Sequence, residues 1–225
     1  MLGLLYDVHG NLPALEAVLG DAGDVDRWML GGDYTLFGAW PEETVERLRS
    51  LDAAWIRGNG ERWTASPGDA PEPAQGAVAW CAHQLGAATA AEMAALPQTH
   101  RDGNTLYCHG SPASDVLSFL PEPAADESEL LEGISQGVRL LVFGHTHLPF
   151  AREAAGGLEL VNPGSVGMPF DGDPRAAYAV MGDAGTGVEH RRVAYDHHAS
   201  AAAVRERMGE AGEQAARRIE RAAFD

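Results

Sequence analysis

The stretch LLVFGHTHLPF, residues 140–150, limits the possible folds more than any other part of the chain. Residues 140–143 are all apolar and too few for a helix, so they predict a buried strand. Gly144 then permits a tight turn, and His145 and His147 follow with one residue between them. Two imidazoles leaving one strand end together are typical of a metal site. An isolated H-x-H pair is more often one core and one surface histidine, so this interpretation depends on the rest of the chain.

Four other predicted strands end in the same way, with Asp, Asn or His beside a glycine. The candidates are Asp7, His9 and Asn11 after strand 2–6, Asp33 after strand 27–30, Asn59 after strand 53–56, and His109 after strand 105–107. In open α/β sheets the loops at the carboxyl ends of strands meet in a crevice, which is where ligands bind. The repeated pattern therefore predicts an α/β fold with one site at that crevice.

The second half of the chain has a different character. Residues 151–161 are predicted to fold back at Gly156-Gly157, and further strands are predicted at 176–181 and 188–195, so this half is expected to be antiparallel. Predicted helices begin near Asn11 and cover 41–51, 74–95 with a break near Gly86, 126–135 from a capping pattern, and 200–223. Residues 64–73 are predicted to be loop, Asp102-Gly103 a hairpin turn, and residues 1–225 a single domain.

Composition excludes some classes of protein. The formal net charge of −17, from 33 acidic and 16 basic residues, disfavours binding to duplex nucleic acid, whose phosphates require cationic partners. Two cysteines provide no disulfide framework, and no apolar run approaches the roughly 20 residues of a membrane span. Asp7 and His9 stand where a signal peptide would need apolar residues. We therefore expect a cytoplasmic protein without membrane contact, and the oligomeric state stays open.

The predicted donors also indicate a chemistry. They are Asp7, His9, Asp33, Asn59, His109, His145 and His147. Seven oxygen and nitrogen donors without a thiolate exceed what one tetrahedral ion uses, and they suit two ions of Mn, Fe, Zn, Ni or Mg with a bridging carboxylate. Two such ions, about 3.5–4 Å apart, hold a phosphoryl group and generate hydroxide near neutral pH. Phosphoryl transfer to water is the reaction that this donor set predicts.

The motifs D-x-H-G-N, G-G-D, G-N-x-E, H-G-S-P, G-H-T-H and N-P-G-S-V-G occur in this order between residues 5 and 178. Together they resemble the calcineurin-like metallophosphoesterases, particularly the small bacterial and archaeal phosphodiesterase-like branch. The resemblance implies a four-layer α/β/β/α sandwich and two divalent ions, with Mn favoured. It also implies a small phosphorylated substrate.

The resemblance further implies roles for single residues. Asp7, His9 and His147 would hold one ion, Asn59, His109 and His145 the other, and Asp33 would bridge them. Asp33, Asn59 and His109 are the predicted catalytic residues, and Asn11 and Arg57 are predicted substrate contacts. Asn162 and Ser165 either touch a substrate oxygen or form a tight turn between strands. Cys108, beside His109, is predicted to be a packing residue by strand alternation.

The chain departs from the family pattern at Gly60, where many members have a histidine that assists the leaving group. Glu61, Arg57 and Arg62 are the residues that could replace it. A general acid contributes about 10²- to 10⁴-fold, so its loss predicts weak activity on poor leaving groups. On this interpretation Gly60→His improves poor leaving groups, provided that the ring fits.

The sequence thus predicts a dinuclear metal-dependent phosphoesterase that hydrolyses a small phosphodiester or nucleotide-type substrate through a metal-bridging hydroxide. Phosphodiesterase activity is favoured over monoesterase activity. One alternative is a catalytically weak interaction scaffold of the same fold, as the retromer subunit of this superfamily suggests. A phosphomonoesterase or protein phosphatase is the other, although the chain lacks the loops with which larger members grip proteins.

Overall fold

Two five-stranded β-sheets form the centre of the protein, and helices lie on their outer faces. The computed structural model describes residues 1–23, 25–132, 134–182 and 187–224. The strands are β1 (Leu2–Leu5), β2 (Arg27–Leu30), β3 (Ala53–Trp55), β4 (Thr99–Asp102), β5 (Thr105–Cys108), β6 (Leu140–Val142), β7 (Phe150–Ala154), β8 (Leu158–Asn162), β9 (Ala176–Met181) and β10 (Val188–Val193). The helices are α1 (Leu12–Asp21), α2 (Pro41–Arg49), α3 (Asn59–Ala65), α4 (Gln75–Ala94), α5 (Glu127–Leu130), α6 (His197–Met208) and α7 (Glu213–Arg221).

The first sheet has the strand order β10-β9-β1-β2-β3. Strands β1, β2 and β3 are parallel, with α1 and α2 as the connecting helices, and β9 and β10 add to the β1 edge in antiparallel fashion. The parallel strands are short and mostly apolar, as expected for strands that are covered on both faces. Their carboxyl ends therefore lie at one edge of the sheet.

The second sheet has the order β4-β5-β6-β8-β7. Strands β4 and β5 form the predicted hairpin, and Gly103 takes the left-handed conformation (φ 57°) that its turn requires. Strands β7 and β8 form a second hairpin through the 3₁₀ turn Ala155–Gly157. The prediction that the second half is antiparallel is confirmed for the pairs β7–β8 and β9–β10, and it is wrong for the second edge of β8, which pairs with β6 in parallel.

The core has three layers of contact. Between the two sheets, the first sheet contributes Leu4, Met29 and, just after β3, Ile56, and the second sheet contributes Tyr107 and Val142. Outside the first sheet, α1, α2 and α4 cover a larger apolar cluster, and outside the second the segment around α5 covers a smaller one. The α/β/β/α prediction is confirmed, with a thin outer layer over the second sheet.

Two helices differ from prediction in the central part of the chain. Residues 59–65 form α3, and the carboxylate of Glu61 caps its amino end by accepting from the Gly58 N–H. The predicted loop 64–73 therefore begins inside a helix and continues through 3₁₀ turns at Pro67–Asp69 and Glu72–Ala74. The predicted helix 126–135 is only α5, because Asp126 makes no side-chain cap; Gly133 lies outside the described residues.

The carboxyl-terminal segment is two helices where one was predicted. Gly209 adopts a left-handed φ of 58° and ends α6, and the 3₁₀ turn Gly209–Gly212 leads into α7. Both helices pack on an apolar cluster that includes Met168 and Ile219. Helix α4 is interrupted at Gly86, as predicted.

None of the helices in the described ranges combines the length and apolar character needed to cross a bilayer. Cys81 and Cys108 are free thiols buried in apolar clusters. The single domain over residues 1–225 stays a prediction, and Asp225 is outside the described ranges.

Candidate metal centre

The structure brings all seven predicted donors to the carboxyl ends of the parallel strands. Asp7 and His9 follow β1, Asp33 follows β2, Asn59 follows β3, His109 follows β5, and His145 and His147 follow β6. Six are buried and His145 is partly exposed. The donors converge because parallel strands all end on the same side of a sheet, as the sequence indicated.

Asp7 lies at the centre of this group. Its Oδ1 is 3.4 Å from His147 Nε2, 3.8 Å from His109 Nε2 and 3.9 Å from His9 Nε2. This oxygen is buried and has no hydrogen-bond partner among the described residues. A buried carboxylate oxygen without a donor is costly unless a cation or proton binds there.

The three imidazoles present unprotonated nitrogens to the same point. The Nδ1 atoms of His9, His109 and His147 lie 2.9, 2.9 and 2.6 Å from the backbone carbonyl oxygens of residues 36, 31 and 168. A carbonyl oxygen only accepts, so each Nδ1 carries the proton and each Nε2 carries a lone pair. Histidines that bind a metal ion through one ring nitrogen commonly donate a hydrogen bond from the other in this way.

Two of these lone pairs face each other, with His9 Nε2 and His147 Nε2 only 3.0 Å apart. Neither nitrogen has a proton to share in the neutral tautomers described above, so a cation between them would remove the conflict. With Asp7 they form a group in which a divalent ion fits the donor chemistry.

A second group surrounds His109. Its Nε2 is 3.5 Å from Asp33 Oδ1, while Asp33 Oδ2 faces the first group, 4.0 Å from His9 Nε2. Asp7, Asp33 and His109 are close enough for one ion to bind all three. The two oxygens of Asp33 thus face histidines of different groups, which is the geometry a bridging carboxylate needs.

Asn59 and His145 complete the second group. One polar atom of the Asn59 amide lies 3.2 Å from His109 Nε2 and 2.9 Å from His145 Nδ1. The NH₂ end suits this position when the imidazoles alone are present, and the oxygen suits it when a cation is bound. The backbone N–H of His145 also donates to Asp7 Oδ2 over 3.0 Å, which links the two groups.

The backbone of the site is strained. Five of the seven donors have left-handed φ values between 51° and 69°: Asp7, His9, Asp33, His145 and His147. For residues other than glycine this conformation costs roughly 1–2 kcal/mol each. Strain of this kind is concentrated at functional sites, where the surrounding structure holds it in place.

Burial and neighbouring charges shift the pKa values of the donors. Burial lowers the pKa of His9 to about 3 and that of His145 to about 4, assisted by His147 and His109 respectively. Burial raises the pKa of Asp33 to about 7, and the carboxylates of Glu61 and Asp7 add to this against the opposing effect of His109. The site thus favours neutral, metal-binding imidazoles at His9 and His145, whereas at His109 burial acts to lower the pKa but the Asp33 and Asp7 carboxylates outweigh it and raise the pKa.

Metal binding should therefore release protons in a pH-dependent way. At pH 6 the Asp33 carboxyl is mostly protonated in the metal-free protein, and an ion must displace that proton. We expect release to be greater at pH 6 than at pH 8.5, by about one proton per chain from Asp33 together with a contribution from His109, whose pKa is also raised, and affinity to rise with pH towards neutrality. Titration calorimetry with Mn²⁺ in buffers of different ionisation enthalpy measures this, and Asp33→Asn should reduce the difference. Equal proton release at both pH values would contradict it.

Glu61 is a buried residue whose part in the site the sequence did not reveal. Its carboxylate accepts hydrogen bonds from the backbone N–H groups of Gly58, Asp33 and Tyr34, at 2.8, 2.9 and 2.8 Å. Both oxygens are thus used as acceptors, and the side chain ties β3 to the Asp33 turn. The suggestion that Glu61 replaces the missing acid finds no support in these contacts. The sequence contained one signal for this role: in the G-N-x-E motif Glu61 stands three residues after Gly58, at the start of a helix.

The loop after β8 has a structural role. Ser165 Oγ donates to the Asp7 carbonyl (2.7 Å) and accepts from Met168 N–H (2.8 Å). The Asn162 amide donates to the Gly144 carbonyl and accepts from Gly164 N–H. These contacts match the tight-turn alternative for Ser165 and Asn162, and they hold the strained ends of β1 and β6.

Asn11 and Arg57, the other predicted substrate contacts, are also engaged within the protein. Asn11 caps α1 and hydrogen-bonds to the Gly167 carbonyl, Tyr195 and Ser200, which is a structural role, and its contact with a substrate stays a prediction. Arg57 pairs with Asp115 at 2.9 Å, and Arg62 binds the same carboxylate. Arg57 nevertheless lines a small cleft with His109.

Gly60 has no space for a larger side chain. Its N–H donates to Asp33 Oδ1 over 2.7 Å, and a Cβ at this position would lie 2.8 Å from the same oxygen. A side chain at this position therefore fits only if the Asp33 carboxylate shifts, and the improvement of poor leaving groups by Gly60→His stays a prediction that depends on that shift.

We expect Gly60→Ala to lower kcat/KM for phosphoesters by roughly 10- to 100-fold. The new methyl group shifts the Asp33 carboxylate, and losing a hydrogen bond that positions a metal ligand has an effect of this size. Gly68→Ala is the matched control, since a Cβ there meets nothing within 4 Å. Steady-state hydrolysis and metal content of both variants test this. Wild-type activity in Gly60→Ala would show that Asp33 has room to move.

A sandwich of two mixed sheets flanked by helices, with carboxylate, amide and imidazole donors at its parallel strand ends, is the architecture of metal-dependent phosphoesterases. The chain belongs to the calcineurin-like phosphoesterase superfamily, whose domain model matches residues 1–184. The resemblance in the motifs is thereby confirmed.

Individual proteins agree with this assignment. The crystal structure of a metallophosphoesterase from Sphaerobacter thermophilus superposes with a TM-score of 0.83 at 30% identity, covering 99% of this chain and 98% of that one. A hypothetical protein from Pyrococcus horikoshii OT3 shares the fold, with a TM-score of 0.80 at 19% identity over 95% and 97%. An uncharacterised protein of Methanocaldococcus jannaschii is 26% identical over 87% of this chain and 88% of its own length.

Proposed function

We propose that the protein is a dinuclear metal-dependent hydrolase of small phosphodiester or nucleotide-type substrates. The observation that carries the proposal is the unpartnered Asp7 Oδ1, buried among three imidazole Nε2 atoms at 3.4–3.9 Å. Such an arrangement is stable when divalent cations occupy it, and membership of a phosphoesterase superfamily supports the reaction class.

The roles of the donors follow from their grouping. Asp7, His9 and His147 would hold one ion, Asn59, His109 and His145 would hold the other, and Asp33 would contact both. The separate orientations of the two Asp33 oxygens support this role, one towards His109 and one towards His9. Mn²⁺ is the favoured ion, with Fe, Zn, Ni and Mg as alternatives that suit the same donors.

Two divalent ions in such a site neutralise charge on the phosphoryl oxygens and activate water. The protein's own contribution is orientation and exclusion of water. The carbonyl oxygens that bind Nδ1 of His9, His109 and His147 fix these rings, and the buried site lowers the local dielectric. Electrostatic attraction of the substrate would come from Arg57, which lines a small cleft with His109 and shares the Asp115 carboxylate with Arg62.

Neither of the two residues that follow Asn59 can donate a proton to the leaving group. Gly60 has no side chain, and both oxygens of Glu61 accept backbone hydrogen bonds. Leaving groups of low pKa, such as nitrophenolates or nucleotide phosphates, depart without a proton, whereas alkoxides need one. This favours activated diesters and pyrophosphate-linked nucleotides over alkyl monoesters.

Hydrolysis of a series of aryl and alkyl phosphate esters by Mn²⁺-reconstituted protein tests the proposal. We expect bis(4-nitrophenyl) phosphate to be cleaved, a steep dependence of kcat/KM on leaving-group pKa, and loss of activity in chelator-treated protein with recovery on adding metal. The absence of metal-dependent turnover on every ester in the series would overturn the proposal.

A further inference from the structure

A row of aromatic rings leads from the metal centre to the surface. The Phe170 ring stacks on the His147 ring with centroids 4.3 Å apart and planes inclined by 19°. Phe224 meets Phe170 edge-on at 5.4 Å. The rings are therefore continuous from a proposed metal ligand outward.

Arg218, on α7, joins the same group. Its Cζ lies 4.1 Å from the centre of the Phe224 ring and 5.9 Å from that of Phe170. Both distances are within the range of cation–π attraction. The group therefore combines flat apolar surface with a positive charge in a protein whose net charge is strongly negative.

Phe224 is positioned by the backbone and contributes little to the core. It is 72% exposed, the highest value among the large hydrophobic residues that are exposed in the described ranges. Ala222, two residues before Phe224, is fully buried and has the left-handed conformation (φ 50°). Its carbonyl accepts a hydrogen bond from the Gly172 N–H over 2.9 Å. A non-glycine residue in this conformation is destabilising, so the turn keeps an exposed ring beside Phe170 at some expense in stability.

We propose that Phe170, Phe224 and Arg218 form a subsite for the nucleobase of a nucleotide-type substrate. This inference rests on the proposed function and adds the location of the base. Every nucleobase has a π face that stacks on aromatic side chains and guanidinium groups, whatever its hydrogen-bonding edge. The aromatic surface lies beside His147, whereas Arg57 lines a cleft with His109, so the two halves suit a ligand with a base at one end and phosphate at the other.

Two esters with the same leaving group separate base recognition from chemistry. The probes are thymidine 5′-(4-nitrophenyl phosphate) and methyl 4-nitrophenyl phosphate. We expect Phe224→Ala to lower the ratio of their kcat/KM values by about 10-fold, the loss of roughly one stacking contact, and Phe224→Trp to preserve the ratio. An unchanged ratio in Phe224→Ala would overturn the subsite.

Leu117→Ala is the control, because Leu117 is another exposed hydrophobic side chain (57%) that lies outside the aromatic row. It should leave the ratio of the two esters at the wild-type value. An equal fall in Leu117→Ala and Phe224→Ala would mean that general loss of apolar surface explains the effect, and would also overturn the subsite.

A binding measurement distinguishes this inference from the proposed function. By titration calorimetry, adenosine 5′-monophosphate should bind wild-type protein more tightly than ribose 5-phosphate does, and Phe224→Ala should remove most of that difference. Preferential binding of the base without hydrolysis of either ester would retain the subsite and reject the hydrolase. Hydrolysis without preferential binding would retain the hydrolase and reject the subsite.

Discussion

Replacing Asp33 by asparagine is expected to lower kcat/KM by about 10³-fold, equivalent to roughly 4 kcal/mol of lost charge stabilisation. The amide keeps an oxygen that can accept from Gly60 N–H, but it has lost the negative charge and one of the two oxygens that face His109 and His9. In metal-free protein at pH 8 the same change should raise the free energy of unfolding, since burial destabilises the ionised carboxylate.

Cys108→Ala is the matched control for this experiment. Cys108 precedes the proposed ligand His109 and is fully buried, yet it packs in the apolar cluster outside the second sheet. The Cys108→Ala variant should be somewhat less stable than the wild-type protein and should keep most of its activity. Steady-state kinetics and urea unfolding of both variants separate the two effects, and comparable kcat/KM values in Asp33→Asn and Cys108→Ala would show that Asp33 has been misassigned.

Replacing Glu61 by alanine is expected to destabilise the protein by about 3–5 kcal/mol, because three backbone N–H groups lose their acceptor at once. All three belong to the turns that carry Asn59 and Asp33, so metal affinity should fall as well. Urea denaturation of metal-free protein measures the stability, and titration with Mn²⁺ measures the affinity.

Glu46→Ala provides the comparison, since Glu46 is an exposed residue of α2. Its effect should stay within about 0.5 kcal/mol, as is usual for surface positions. A loss of less than about 1 kcal/mol in Glu61→Ala would mean that water replaces the carboxylate, and that the Asp33 turn is held by other contacts.

The sequence predicted the parts of the fold that depend on local pattern. Strand 140–143, Gly144 and His145 stand in one short segment, and a buried strand followed by a glycine turn needs no distant information. The same holds for the hairpin at Gly103 and the break in α4 at Gly86. These residues determine their own backbone conformation.

The parts that were missed depend on distant contacts. Helix α3 begins at Asn59 without a Ser or Thr cap, and its stabilising residue, Glu61, is anchored on Asp33 and Tyr34 nearly thirty residues earlier. Ser165 was ambiguous because its hydroxyl binds the carbonyl of Asp7, 158 residues away. Periodicity and propensity contain no information about such pairings.

The aromatic row shows the same limit. Arg218 and Phe224 are far from the metal motifs in sequence, and Phe224 reaches Phe170 after the chain passes the left-handed Ala222 that ends α7. The break at Gly209, which sets the direction of α7, was itself not predicted. The donors could therefore be read from local motifs, whereas the surface around them could not.

The number of metal ions per chain tests the central claim most directly. We would reconstitute chelator-treated protein with excess Mn²⁺, remove unbound metal, and determine metal and protein by elemental analysis of one sample. We predict about two ions per chain, since the donors form two groups that share Asp7, and the two oxygens of Asp33 face histidines of different groups. A reproducible value near zero or one, also with Zn²⁺ and Ni²⁺, would contradict the dinuclear site.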